Sequence, residues 1–102
     1  MIRKIILYVD DIRNIPLFYN RTDKIIIARN YEEAIKNLTL IKKFDIIDLD
    51  HDLGEEKSGY DIAKYIIENQ IKVDTIRIHS MNPVGVQNIK QLLQRYDYKI
   101  EI

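Results

Sequence analysis

The chain has 102 residues, 46% of them hydrophobic and 31% charged, which suits one globular domain and argues against disorder. Sixteen basic and 16 acidic residues cancel, so no basic stripe for duplex DNA is expected, whereas a small nucleotide or a single RNA end needs only a local pocket. There is no cysteine, which rules out disulfides, thiol catalysis and thiolate metal sites.

Apolar β-rich runs alternate with helical patterns along the chain, the pattern of βαβ units around a parallel sheet. The first strand is Lys4–Val9, a continuous apolar run of the kind buried on both faces. Asp10 and Asp11 end it, and the stretch Ile12–Asp23 reads as a loop with a short or broken helix because Pro16 interrupts it. Lys24–Ala28 is a second strand. Asn30 or Tyr31 then opens a helix to about Ile41, with Ala34, Ile35, Leu38 and Ile41 at helical spacing. Asp45–Asp50 is the third strand, followed by a polar loop from His51 to Ser58 and a helix from about Gly59 to Asn69. Thr75–His79 forms the fourth strand, Met81–Pro83 turn, Val84–Tyr96 make the last helix, and Tyr98–Ile102 close the chain as a fifth strand.

Right-handed crossovers leave few arrangements for five such strands. The expected fold is α/β, a flavodoxin/CheY-like sheet of order 2-1-3-4-5 with helices on both faces and a first helix that is short or irregular. Ligands of such sheets bind outside the carboxyl ends of the strands, at the switch point between strands one and three. No apolar segment approaches the roughly 18 residues that cross a bilayer, and the run Ile5–Val9 is too short for a signal peptide. The expectation is a cytoplasmic protein with no membrane partner.

The strand ends carry unusual residues. Asp10 and Asp11 end strand one, and Asp50, His51 and Asp52 end strand three. Carboxylates so crowded repel unless a proton or cation compensates, so Asp10, Asp11, Asp50 and Asp52 are candidate ligands of Mg²⁺ or Mn²⁺. Asp10 or Asp11 could instead cap the following turn, and Asp52 could simply start a loop. His51 and His79, the chain's two histidines, fall at the ends of adjacent strands and could serve as general base and general acid. The plainer alternative is a structural histidine bonded to a loop carbonyl. Ser80, Asn82 and Gly85 lead into the last helix and could cradle a phosphoryl group, or Ser80 or Asn82 could simply cap that helix, with Pro83 in its first turn. Arg13 and Arg77 are candidate anion contacts. Tyr8, Tyr60, Tyr65 and Tyr96 sit in apolar patterns and read as core or rim. Asp48, two residues before Asp50 and on the same side of the strand, has no role that the sequence supplies.

The acidic pair Asp10-Asp11, the stretch Asp45-Ile-Ile-Asp-Leu-Asp50 with Leu53 and Gly59-Tyr60, and Ser80 after strand four resemble a response-regulator receiver domain over nearly the whole chain. That resemblance implies a phosphoacceptor at Asp50, Mg²⁺ ligands at Asp10 and Asp11, and a switch hydroxyl at Ser80. The receiver lysine after strand five has no counterpart in this sequence, and the proline expected near Gly54 is absent. Histidines stand instead in Leu49-Asp-His-Asp-Leu-Gly54 and Ile78-His-Ser-Met-Asn-Pro-Val-Gly85, two stretches that look like the divergent cyclic-phosphate-processing receiver family. The implied activity is hydrolysis of a cyclic phosphate, either a cyclic nucleotide or an RNA 2′,3′-cyclic end. Catalytic roles then fall to His51, His79 and Asp50, and substrate contacts to Arg13, Ser80, Asn82 and Gly85. Two alternatives stand beside this: a module phosphorylated on Asp50, and a non-catalytic binder of a nucleotide or a protein partner.

Overall fold

A computed structural model describes residues 3–19 and 23–102. Five parallel strands, β1 (Ile5–Val9), β2 (Lys24–Ala28), β3 (Lys43–Leu49), β4 (Lys72–Ile78) and β5 (Ile100–Glu101), form one sheet in the order β2-β1-β3-β4-β5. Three helices, α1 (Tyr31–Leu40), α2 (Gly59–Glu68) and α3 (Pro83–Gln94), connect β2 to β3, β3 to β4 and β4 to β5. The expected strand order is the observed one. The last strand is shorter than the run Tyr98–Ile102: Asp97 turns the chain at a φ of 63°, and the ladder begins only where the Ile76 amide donates to the Lys99 carbonyl.

Alternation along the strands sorts their residues into two faces. One face carries the rows Ile26–Leu7–Ile47–Ile76–Ile100 and Ala28–Val9–Leu49–Ile78, each row in register across neighbouring strands. Ala34 and Leu38 of α1, Ile62, Ala63 and Ile66 of α2, and Ile89 and Leu93 of α3 pack on these rows as a single core. Burying each Leu or Ile there is worth about 1.5–3 kcal/mol over leaving it exposed. Local signals fix the helix starts: Asn30, Ser58 and Asn82 are N-caps, Ser58 and Asp61 close a capping box, and Pro83 occupies the first turn of α3.

The opposite face differs from the expectation of helices on both sides. Connections β2–β3, β3–β4 and β4–β5 all step the same way along the sheet, so right-handed crossover puts all three helices on one face. Only the β1–β2 connection steps the other way, and among its described residues there is no helix. Pro16 accepts a bond from the Tyr19 amide and the chain turns at Leu17–Phe18, so the irregular first element is a loop laid over the sheet. The Arg29 guanidinium ties this loop down through the Asp10 and Arg13 carbonyls, at 3.1 and 2.6 Å. Asn20, Arg21 and Thr22, the end of that connection, lie outside the described residues.

Candidate active site at the strand ends

On the loop-covered face the rows become polar toward the carboxyl ends. Ile25–Ile6–Ile46–Thr75 is followed by Ile27–Tyr8–Asp48–Arg77–Glu101. The ladder then runs one residue past the strands, as the amides of Asp10, Asp50 and His79 donate to the Ala28, Val9 and Leu49 carbonyls. Continued alternation brings these three side chains to the same face as Tyr8 and Asp48.

His79 is the centre of the group. Its Nδ1 lies 2.5 Å from Asp48 Oδ1 and its Nε2 2.9 Å from Asp10 Oδ2, and the Tyr8 ring stacks on it at 5.0 Å with an interplanar angle of 4°. Asp48 and Asp10 are both fully buried. The second Asp48 oxygen accepts from the Tyr19 hydroxyl and from Arg77 Nη1 at 3.0 Å, while the Arg77 guanidinium lies 4.6 Å from the Phe18 ring centroid. Every buried polar side-chain atom among the described residues has a partner.

This geometry sets the charge states. Burial alone would lower the His79 pKa, but Asp48 and then Asp10 outweigh it and raise the value above the ordinary histidine range. Burial pushes Asp10 up, yet the amides of Arg13 and Ile12 (2.8 and 3.0 Å) and the His79 ring together hold its carboxyl below the usual range. Asp50 is raised, first by burial and then by the Asp10 charge, with the Ser80 hydroxyl opposing the shift. Burial and the nearby Asp10 and Asp48 carboxylates push the Tyr8 phenol up to about 12.

The other candidate residues divide between two cavities. Asp11, Arg13, Asp50, Asp52 and Ser80, with Ile12 and Met81, line a crevice of about 200 Å³. Asn82 stands at its edge, its side-chain amide donating to Asp52 at 3.3 Å while its oxygen caps α3 at the Gly85 amide. His51 turns the other way, toward α2 and α3, and shares no hydrogen-bond partner with His79. Its Nδ1 pairs with Asp52 Oδ1 at 2.8 Å, which lowers the Asp52 pKa. Gly85 is buried beneath the His51 ring, where any Cβ would overlap the imidazole. Gly59 is needed for a similar reason, since a Cβ there would meet the Asp50 carbonyl. Asp48, Tyr19 and Arg29 escape the sequence reading as site residues. The one signal available was the place of Asp48 on the side of Asp50.

Asp10, Asp50 and His79 each offer one ligand atom, all within 4.8 Å of one another. The Asp10 and Asp50 carboxylate oxygens suit a divalent cation such as Mg²⁺ or Mn²⁺, whereas the His79 nitrogen would join them only on giving up its proton. Asp11 and Asp52 line the same crevice but stand outside this cluster.

Comparison with known proteins agrees with the fold. A profile of the family described as the cyclic-phosphate processing Receiver domain matches residues 5–95. No curated protein matches the chain. The signal receiver domain of a putative Luxo repressor protein from Vibrio parahaemolyticus aligns with a TM-score of 0.67 at 19% identity, over 98% of this chain and 78% of that one. A fusion bearing the yeast Spc42 trimeric coiled coil gives a TM-score of 0.62 at 24% identity over 89% of this chain, which spans 64% of the fusion's length. Likeness at these identities shows the fold alone.

Proposed function

Because this chain belongs to the family of cyclic-phosphate processing receiver domains, we propose that it hydrolyses a cyclic phosphate, of a nucleotide or an RNA 2′,3′ end, in the crevice at the strand ends. The observation that supports this most is His79, held between two buried carboxylates beside Asp50. Its charged form is favoured there, so it acts as the general acid that protonates the leaving ribose oxygen. His51 has the complementary arrangement: donation of Nδ1–H to Asp52 leaves Nε2 as a lone pair able to take a proton from water. Water then bonds to phosphorus, the ring P–O bond breaks, and the proton gained by His51 and the one lost by His79 exchange with solvent. Arg13 and the Ser80 hydroxyl bind the non-bridging oxygens, with Asn82 fixing Asp52. A divalent cation bound at Asp10 and Asp50 would neutralise phosphate charge.

The test is incubation with 2′,3′- and 3′,5′-cyclic nucleotides and cyclic-phosphate-ended RNA, with and without Mg²⁺ or Mn²⁺, followed by mass spectrometry. A gain of one water, lost in His79→Ala, is the expected result. Retention of unaltered ligand with no conversion would identify a binding module instead. One observation favours a second reading: Asp50 lies at the crevice beside Ser80, as a phosphoacceptor would. Acid-labile phosphorylation by acetyl phosphate, lost in Asp50→Asn, would establish it.

A further inference from the structure

Between α2 and α3, beside the crevice, lies a groove of about 480 Å³ lined by His51, Ser58, Tyr60, Asn88, Gln91 and Arg95. No acidic side chain lines it, although 16 of the 102 residues are acidic. Asn88, Gln91 and Arg95 recur at i, i+3 and i+7, so they project from one side of α3 into one opening. All three are exposed and have no side-chain partner among the described residues. The groove thus offers the open side of the Tyr60 ring, which otherwise packs on the core, two amides able to read a base edge, and a cation for a phosphate.

One pair of residues separates this groove from the crevice. His51 lines the groove, and Asp52, its partner at 2.8 Å, lines the crevice. The glycine at position 85 lets the His51 ring lie against α3, so a single imidazole stands between groove and crevice. A ligand with its cyclic phosphate beside Asp50 would meet the groove immediately across His51.

Resting on the proposed hydrolysis, we infer that the α2–α3 groove binds the nucleotide preceding the cyclic phosphate, so that the substrate is an oligonucleotide end and not a free cyclic mononucleotide. Tyr60 stacks on the preceding base, Asn88 and Gln91 bond its edge, and Arg95 pairs with the adjoining phosphate.

The test compares kcat/KM for uridine 2′,3′-cyclic phosphate and for the dinucleotide UpU ending in a 2′,3′-cyclic phosphate. The wild type should favour the dinucleotide by about tenfold, mostly through KM, as one added stacked base provides. Asn88→Ala/Arg95→Ala should erase that preference and leave the mononucleotide rate unchanged. Equal rates on the two substrates, or a preference that survives in the double variant, would overturn the role of the groove while hydrolysis stood. Absence of turnover on both would instead overturn the proposed function. The groove is then judged by NMR titration with UpU 3′-phosphate: shifts at Asn88, Gln91 and Arg95 uphold it as a nucleotide site, and their absence removes it.

Discussion

The two faces of this sheet are made by the same strands and have opposite chemistry. Toward the helices, β1, β3 and β4 present Leu7, Val9, Ile47, Leu49, Ile76 and Ile78, all buried in one apolar core. On the other side, the intervening positions present Tyr8, Asp48, Arg77 and, one step further, Asp10, Asp50 and His79. Three helices seal the first face, whereas a loop tied by Arg29 and Tyr19 closes the second. Stability on the first face comes from area removed from water. On the second, each buried charge must find a partner, and the partnerships also set the protonation states that chemistry needs. One residue of slip in any central strand would exchange the two sets, so fold and site share a single register.

The sharpest break of this comparison is His79→Ala. Turnover of the cyclic phosphate per folded molecule should fall by about 10²–10⁴, the usual worth of a general acid, and stability should fall as well, since Asp10 and Asp48 lose their buried partner. Ile47→Ala, on the neighbouring strand but the opposite face, should cost stability alone. Urea denaturation should show a loss of about 2–5 kcal/mol, while the activity of the remaining folded protein is unaltered. Equal effects of the two variants on activity per folded molecule would mean that the faces are not separable.

Asp48→Asn sharpens the comparison within the polar face. It preserves shape but removes the charge that orients His79, Tyr19 and Arg77. Turnover should drop by about 10–100-fold, the range typical when the partner orienting a functional histidine is lost, and steady-state kinetics should place the loss in kcat.

The smallest effect is on pH dependence. Because the folded-state pKa of His79 lies above its ordinary value, its contribution to stability is complete below about pH 6.5 and is lost as pH rises through the folded value. Asp10 is shifted the other way, so its contribution is present above about pH 4 and disappears as pH falls through its lowered value. Asp50, raised by burial, opposes Asp10 at the acid end. In EDTA, urea midpoints should therefore decline on the alkaline side, and His79→Gln should flatten that limb.

Much of this was legible in the sequence, for identifiable reasons. Apolar runs bounded by Asp10 and Asp50 marked the strands, and helical spacing in Ala34-Ile35-Leu38 and Ile62-Tyr65-Ile66 marked α1 and α2. The rule for strand carboxyl ends then pointed to Asp10, Asp50, His79 and Ser80 together. The sequence left Asp48 unassigned because its role depends on three partners, Tyr19, Arg77 and His79, each about 30 residues away, at separations of 29, 29 and 31. The pairing of His51 with α3 was hidden for a similar reason, since it depends on the missing side chain of Gly85. Helices on both faces were expected from the α/β pattern, but Pro16 and the turn after it leave the β1–β2 connection non-helical over its described residues.

Whether Asp48 and Asp10 hold the proton on His79 can be read from the ¹⁵N spectrum of the histidine side chains, recorded against pH in EDTA. Both ring nitrogens of His79 should keep their protons above the pH at which a free histidine titrates, and Asp48→Asn should move this transition toward lower pH. A His79 transition at or below that of a free histidine, or one indifferent to Asp48, would contradict this arrangement.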